Sequence, residues 1–195
     1  AKKYNKEELN KKLVGQYCLN HHATDMMINN INKVIKRNDI DKDLIILDAT
    51  NAFGLINIEN VLKEVHQKIP QLFIPANNFL SEGNGYTVGA VGELNSITKI
   101  ERNKGLIQGS PLSPLFYALG IQKLLNLLYE EMNNKEINPT SSGCNEIFCY
   151  MDDLNIWLDY SIVNYIFQTL VEKGKEIGYE INFGKTWILL GKSLS

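Results

Sequence analysis

The sequence predicts an α+β fold, a ferredoxin-like antiparallel sheet backed by helices. Three observations point to it. From Phe148 to Trp157 an apolar strand runs into Asp152-Asp153 and straight back into a second apolar strand, a β-hairpin. Leu44-Ile45-Ile46-Leu47 is a continuous apolar run of the kind found in buried strands. Around these lie stretches with apolar residues at helical spacing, so strands and helices alternate about a central hairpin.

In chain order, residues 5 to 37 are expected to be mostly helical, with a polar loop near Asn20 to Thr24. A strand follows at 44 to 48. Ile58, Val61, Leu62 and Val65 set the spacing of a helix over 58 to 69, capped by Asn57 and ended by Pro70. A second helix is expected over 71 to 82. Residues 84 to 103 have the pattern of a hairpin, with Tyr86-Thr87-Val88 and Ser96-Ile97-Thr98 as strand cores. A helix over 111 to 133 begins with Ser110 as cap and Pro111 at its first position, with apolar residues recurring at Leu112, Leu115, Phe116, Leu119, Leu124, Leu125 and Leu128. A Pro/Ser/Gly linker at 138 to 145 leads to the aspartate hairpin. Then come a helix over 161 to 177 and strands near 179 to 183 and 186 to 190.

Composition bounds the function. With 195 residues, 44% of them apolar, the chain is long enough for one compact core, and it has no repeats and no second domain boundary. No apolar run approaches the roughly 18 residues of a membrane span, and no signal-peptide core follows the charged start. The absence of an initiator Met suggests a fragment or a processed chain. Cys18, Cys144 and Cys149 are odd in number and form no Cys-x-x-Cys pair, which points to a reducing, intracellular compartment. Cys18, His21 and His22 lack the second ligand pair of a zinc finger and are expected to be loop or surface residues. Net charge is −2, but residues 1 to 40 carry eight Lys/Arg against four acids. A basic flank beside an acidic site suits a polyanion, and a solvated helix face explains the lysines equally well.

Four segments carry chemistry. The first is the hairpin tip. A two-residue loop favours glycine, because its central residues need positive φ, yet Met151-Asp152-Asp153 has none and sets two like charges side by side. Both features cost stability, and a divalent cation would relieve the repulsion; the alternative is a solvated acidic turn. The second is Asp48, at the C-terminal end of a buried strand where ligands bind in open sheets; its alternative is a helix cap, a role that suits Asn57 better. The third is Gly105 to Phe116, where Gln108-Gly109 precede a helix start and bring backbone close to a ligand, or simply form a loop and cap. In the fourth, Gly178 to Thr186, Lys185 stands beside a glycine turn. It is either a solvated cation or one facing a polyphosphate.

Taken in order, these segments resemble the palm of a reverse transcriptase, an RNA-directed DNA polymerase, over about residues 44 to 190. Asp48 with an aromatic five residues later looks like the first metal-binding motif. Gln108-Gly109-Ser110-Pro111-Leu112-Ser113-Pro114 looks like the motif with the nucleotide-contacting glutamine. Tyr150-Met151-Asp152-Asp153 is similar to the signature hairpin, and Gly178 to Thr186 to the lysine motif that follows it. Asn51-Ala52-Phe53, Leu112-Ser113-Pro114 and the Ile181-Asn182 to Lys185-Thr186 ending are more like non-LTR retrotransposon and group II intron enzymes than retroviral ones. Met151 departs from the alanine usual at that position in non-LTR elements. Gln16 to Ile35 looks like the finger segment that precedes the first motif.

The resemblance implies a polymerase palm at 41 to 195 with a partial fingers segment at 1 to 40 and the thumb absent. It implies two Mg²⁺ ions, with Mn²⁺ as a substitute, held by Asp48, Asp152, Asp153 and the carbonyl of Ala49. Phe53 would be the steric gate against a 2′-hydroxyl, with core packing as its alternative. Gln108 and Gly109 would contact the dNTP, Lys185 would protonate the leaving pyrophosphate, and Tyr150 and Met151 would line the primer terminus and template base. The implied partners are an RNA template, a DNA primer and the remaining parts of a larger protein or partner subunits. Two other classes compete: a reverse-transcriptase-derived structural or RNA-binding domain of a ribonucleoprotein, and an RNA-dependent RNA polymerase. Clustered, repelling carboxylates speak against the first, and Phe53 with Gln108-Gly109 against the second.

Overall fold

The computed structural model describes residues 13–37, 41–82, 85–89, 97–101, 104–134, 136–138 and 144–191. The expected helical start before residue 13, the strand-core residue Ser96 and most of the linker at 138 to 145 lie outside them.

The sheet has the order β4-β5-β1-β6, with every neighbouring pair antiparallel. Its strands are β1 (Lys42–Leu47), β4 (Glu146–Tyr150), β5 (Asp153–Asp159) and β6 (Trp187–Leu189). This is the split βαβ arrangement of a ferredoxin-like sheet. A separate hairpin pairs β2 (Gly85–Gly89) with β3 (Ile97–Glu101), as expected for 84 to 103.

Strand periodicity of two sorts the sheet residues onto two faces. Ile45, Leu47, Ile147, Cys149, Leu154, Ile156 and Leu158 join the main core with the helices. Those are α3 (Ile58–Lys68), α5 (Ser113–Gly120), α6 (Gln122–Asn133) and α7 (Val163–Ile177). Leu44, Phe148 and Trp157 point the other way, where α1 (Ala23–Lys36) lays Met27 and Val34 on them. That helix covers the far part of the face and leaves the Asp48 and Asp153 end open.

Asn57 caps α3 as expected, its side chain accepting the Asn60 N–H at 3.2 Å. Several expectations are corrected. Residues 13 to 20 are not helical: Gly15, at φ 68°, turns the chain alongside β4, where its carbonyl accepts the Cys149 N–H and the Tyr17 N–H donates to the Cys149 carbonyl, both at 2.8 Å. A Cβ at Gly15 would press on Ile147, so the close approach itself requires glycine. A four-residue helix α2 (Ala52–Leu55) precedes α3. The helix expected over 111 to 133 starts at Ser113, with Ser110 capping a preceding turn, and breaks at Ile121. Asn60 Nδ2 donates to the Gly120 carbonyl at 2.6 Å and so takes the acceptor the next helical turn would use. Of the strand expected at 179 to 183 only a bridge at Ile181 forms, followed by the 3-10 turn Phe183–Lys185. The helix α4 (Phe73–Glu82) begins after a 3-10 turn at Pro70–Leu72.

Candidate active site at the end of the central strands

Tyr150 and Asp153 close the β4–β5 hairpin, leaving Met151 and Asp152 as its loop. Met151 sits at φ 57°, the left-handed conformation such loops demand. For a residue with a side chain this costs about 1–2 kcal/mol. The strain expected from the glycine-free loop is therefore present, and hydrogen bonds oppose it. The Met151 N–H donates to Gln16 Oε1 (3.0 Å), as does the Cys18 N–H (3.3 Å). Gln16 Nε2 donates to Cys149 Sγ (3.4 Å), and the Cys149 thiol donates to the Met151 carbonyl (3.1 Å). Burial, with a smaller contribution from Cys18, pushes the Cys149 thiol well above its ordinary pKa, so it stays a donor. Gln16 escaped sequence reasoning; a glutamine next to a glycine within an apolar run was the available signal.

Asp48 leaves β1 directly after Leu47, which pairs with Leu154 on β5. One rung further along that register, Asp48 stands opposite Asp153, on the face that α1 leaves open. Burial raises the pKa of both hairpin carboxylates. Asp48 adds to the effect on Asp152, and Asp152 and then Asp48 add to it on Asp153. The three carboxylates therefore share one electrostatic site.

Among the described residues, the cation paired with Asp48 is exposed. Lys185 Nζ lies 3.4 Å from Asp48 Oδ2, with 69% of its side chain open to solvent. Asn182 Nδ2 donates to the same oxygen at 3.3 Å. Asn182 reaches it because its N–H bonds the Asp48 carbonyl (2.9 Å) while the Thr50 N–H bonds the Glu180 carbonyl (2.7 Å). Those two bonds flank the Ala49–Ile181 bridge, so Ala49 turns its own carbonyl away from Ile181, to the side where β5 lies.

Three repelling carboxylates and the Ala49 carbonyl are hard oxygen donors of the kind a divalent cation takes. Among the described residues, no three His, Cys, Asp or Glu side chains already surround one ion position. Ion binding would have to draw these donors together. His21 and His22 are both exposed, as expected of loop or surface residues.

The remaining candidate residues surround this end of the sheet. Phe53, half-buried on α2, stacks on Tyr117 with ring centroids 4.8 Å apart and planes 24° apart. Tyr117 is fully buried and its hydroxyl has no hydrogen-bond partner. Burial, then Tyr179, Cys149 and Asp152, drives its pKa well upward. Tyr179 supports the hairpin from beneath, its hydroxyl donating to the Asp152 carbonyl at 3.4 Å. Gln108 and Gly109 are exposed on a turn with Gly109 at φ 87°, and the Ser113 hydroxyl donates to the Ile107 carbonyl at 2.6 Å, fixing the turn to α5. Tyr150 is half-buried beside Tyr17 and Phe148 on the open face, whereas Met151 packs against the main core.

A ferredoxin-like sheet carrying clustered carboxylates at the end of two neighbouring strands defines a polymerase palm. A model of the family described as "Reverse transcriptase (RNA-dependent DNA polymerase)" matches residues 6–193. The chain belongs to the reverse transcriptase family. No curated protein matches the sequence. Among solved structures, apo telomerase from Candida tropicalis is similar with a TM-score of 0.69 and 11% identity, over 97% of this chain and 36% of that one. Telomerase from Candida albicans, in complex with the TWJ fragment of telomeric RNA, gives a TM-score of 0.66 and 11% identity over 94% of this chain and 33% of that one. At such identities the likeness concerns the fold, and the chain spans about a third of the length of these relatives.

Proposed function

We propose that this chain is the palm of an RNA-directed DNA polymerase that adds dNTPs to a DNA primer 3′-hydroxyl on an RNA template. The supporting observation is the shared electrostatic site of Asp48, Asp152 and Asp153 at the open end of the sheet. Asp48, Asp152 and the Ala49 carbonyl would hold two Mg²⁺ ions, or Mn²⁺, with Asp153 adjacent. Bound there, the metals supply charge neutralisation for in-line phosphoryl transfer and lower the pKa of the attacking hydroxyl.

The chain's own groups supply position. Asn182 orients Asp48. Lys185 stands beside Asp48 without burial, so its ammonium can turn to the phosphates and donate a proton to the departing pyrophosphate. Phe53, backed by the buried Tyr117, forms a floor that excludes a 2′-hydroxyl. Gln108 and Gly109 contact the incoming nucleotide, while Tyr150 and Met151 line the primer end and template base. The motif residues Asn51-Ala52-Phe53 and Leu112-Ser113-Pro114 favour the non-LTR retrotransposon and group II intron branch. A fingers segment at 1–40 and a palm at 41–195 would work within a larger protein or with partner subunits.

The test is primer extension on an RNA template with dNTPs and Mg²⁺, using the full-length protein. Extension by the wild type and none by Asp152→Asn or Asp153→Asn supports the reading. A wild-type protein that fails to extend overturns it. Phe53→Ala should raise ribonucleotide incorporation about tenfold or more; unchanged exclusion would remove the gate role.

A further inference from the structure

We infer that Gln16 is a positioning residue: its side-chain amide clamps the strained hairpin tip and thereby sets where Asp152 and Asp153 stand. The inference rests on the polymerase reading only for its catalytic consequence. Three observations carry it. Met151 holds the left-handed backbone at φ 57° with no glycine to make it free. Gln16 is 5% exposed although its side chain is polar and uncharged. Its side-chain amide reaches the tip from both ends: Oε1 accepts the Met151 N–H, together with that of its own neighbour Cys18, and Nε2 donates to Cys149, whose thiol donates to the Met151 carbonyl. One amide thus fixes the peptide groups on both sides of Met151, directly and through Cys149.

Gln16 is itself held to β4. The Gly15 carbonyl and the Tyr17 N–H, on either side of it, both bond Cys149, two residues before Met151. The clamp and the tip therefore move as one body with the strand. The Val14 carbonyl is further tied to Gln122 Nε2 at 3.2 Å, which connects the clamp to α6. A segment preceding the first carboxylate motif by about 30 residues in sequence thus reaches the site through backbone pairing with β4 and through the Gln16 side chain.

Amide hydrogen exchange on the full chain without metal, followed residue by residue, tests the clamp independently of activity. The Met151 amide of the wild type should exchange about tenfold or more slowly than in Gln16→Met, a near-isosteric variant without the acceptor, while the Leu154 amide changes little. An unprotected Met151 amide in the folded wild type overturns the clamp, and this arm stands whether or not the variant folds or the protein polymerises. Steady-state extension tests the consequence. Gln16→Met should lower kcat about 10–100-fold with the template-primer KM nearly unchanged. In a Met151→Gly background, where the loop needs no clamp, the same substitution should change kcat less than about threefold. An equal loss in both backgrounds, or a change in KM alone, overturns the positioning role.

Discussion

The two ends of the same strand pair treat charge in opposite ways. At one end Lys42, 1% exposed, lies directly opposite Asp159 across β1 and β5, and its ammonium stands 3.3 Å from the carboxylate. Lys42 also donates to Asn145 Oδ1 at 2.8 Å, Asn138 Nδ2 donates to Asp159 Oδ2 at 2.6 Å, and Asn145 Nδ2 donates to the Met132 carbonyl at 2.6 Å. At the other end, among the described residues, three carboxylates share one electrostatic site in which an exposed lysine pairs with Asp48. Charge at the first end is neutralised by the fold itself. At the second, among the described residues, negative charge is left in excess, an arrangement that suits a cation. A buried pair fixes the register, whereas an open, repelling cluster destabilises the free protein and favours whatever cation binds it.

The largest expected effect breaks the open end. Asp152→Asn should abolish extension, a loss on the order of 10³-fold or more, without lowering the urea midpoint, since it removes repulsion. A clearly destabilised Asp152→Asn would mean that the carboxylate serves the fold. At the closed end, Lys42→Met should cost about 3–5 kcal/mol in urea unfolding, because it removes one partner of a buried ion pair. A cost under about 1 kcal/mol would make the two ends equivalent.

The pH dependence separates the ends further. Asp152 and Asp153 have folded-state pKa values above their unfolded ones, so the native state binds more protons than the unfolded state between the two. These groups impose no penalty below the ordinary aspartate value of about 3.9, and destabilise increasingly as pH rises through the raised values. Thermal unfolding of wild type against Asp152→Asn/Asp153→Asn should show the wild type falling behind across that window, and Mg²⁺ should close the gap. A gap that widens toward low pH would have the sign of paired carboxylates instead. The smallest effect sharpens the contrast between the lysines: Lys185→Met should change stability by less than about 1 kcal/mol, as for an exposed pair. A cost near that of Lys42→Met would place Lys185 among the structural charges.

Much of this was legible because it is local. The apolar run before Asp48, the glycine-free Met151-Asp152 turn, Asn57 as a cap and the spacing through α7 are written in neighbouring residues, and the structure places each where those patterns put it. The misses share one physical cause. Leu13 to Tyr17 has apolar content that suits a helix, but its backbone bonds go to Cys149, more than 130 residues away. The break at Ile121 depends on an amide from Asn60. Nothing in the sequence links Lys42 to Asp159; the register of β1 on β5 brings them together.

By itself the sequence determined the α+β order, the apolar runs that become the central strands, and the three acidic positions together with the strain at the hairpin tip. Residue type, period and turn chemistry act over a few residues, which is why these could be read. Only the tertiary structure decided that Asp48 follows on the register toward Asp153, one rung past the Leu47–Leu154 pair, that Gln16 holds Met151, and that Lys42 is hidden while Lys185 is open. Each of those depends on which distant backbone groups bond one another and on the burial that follows, and no local pattern specifies either.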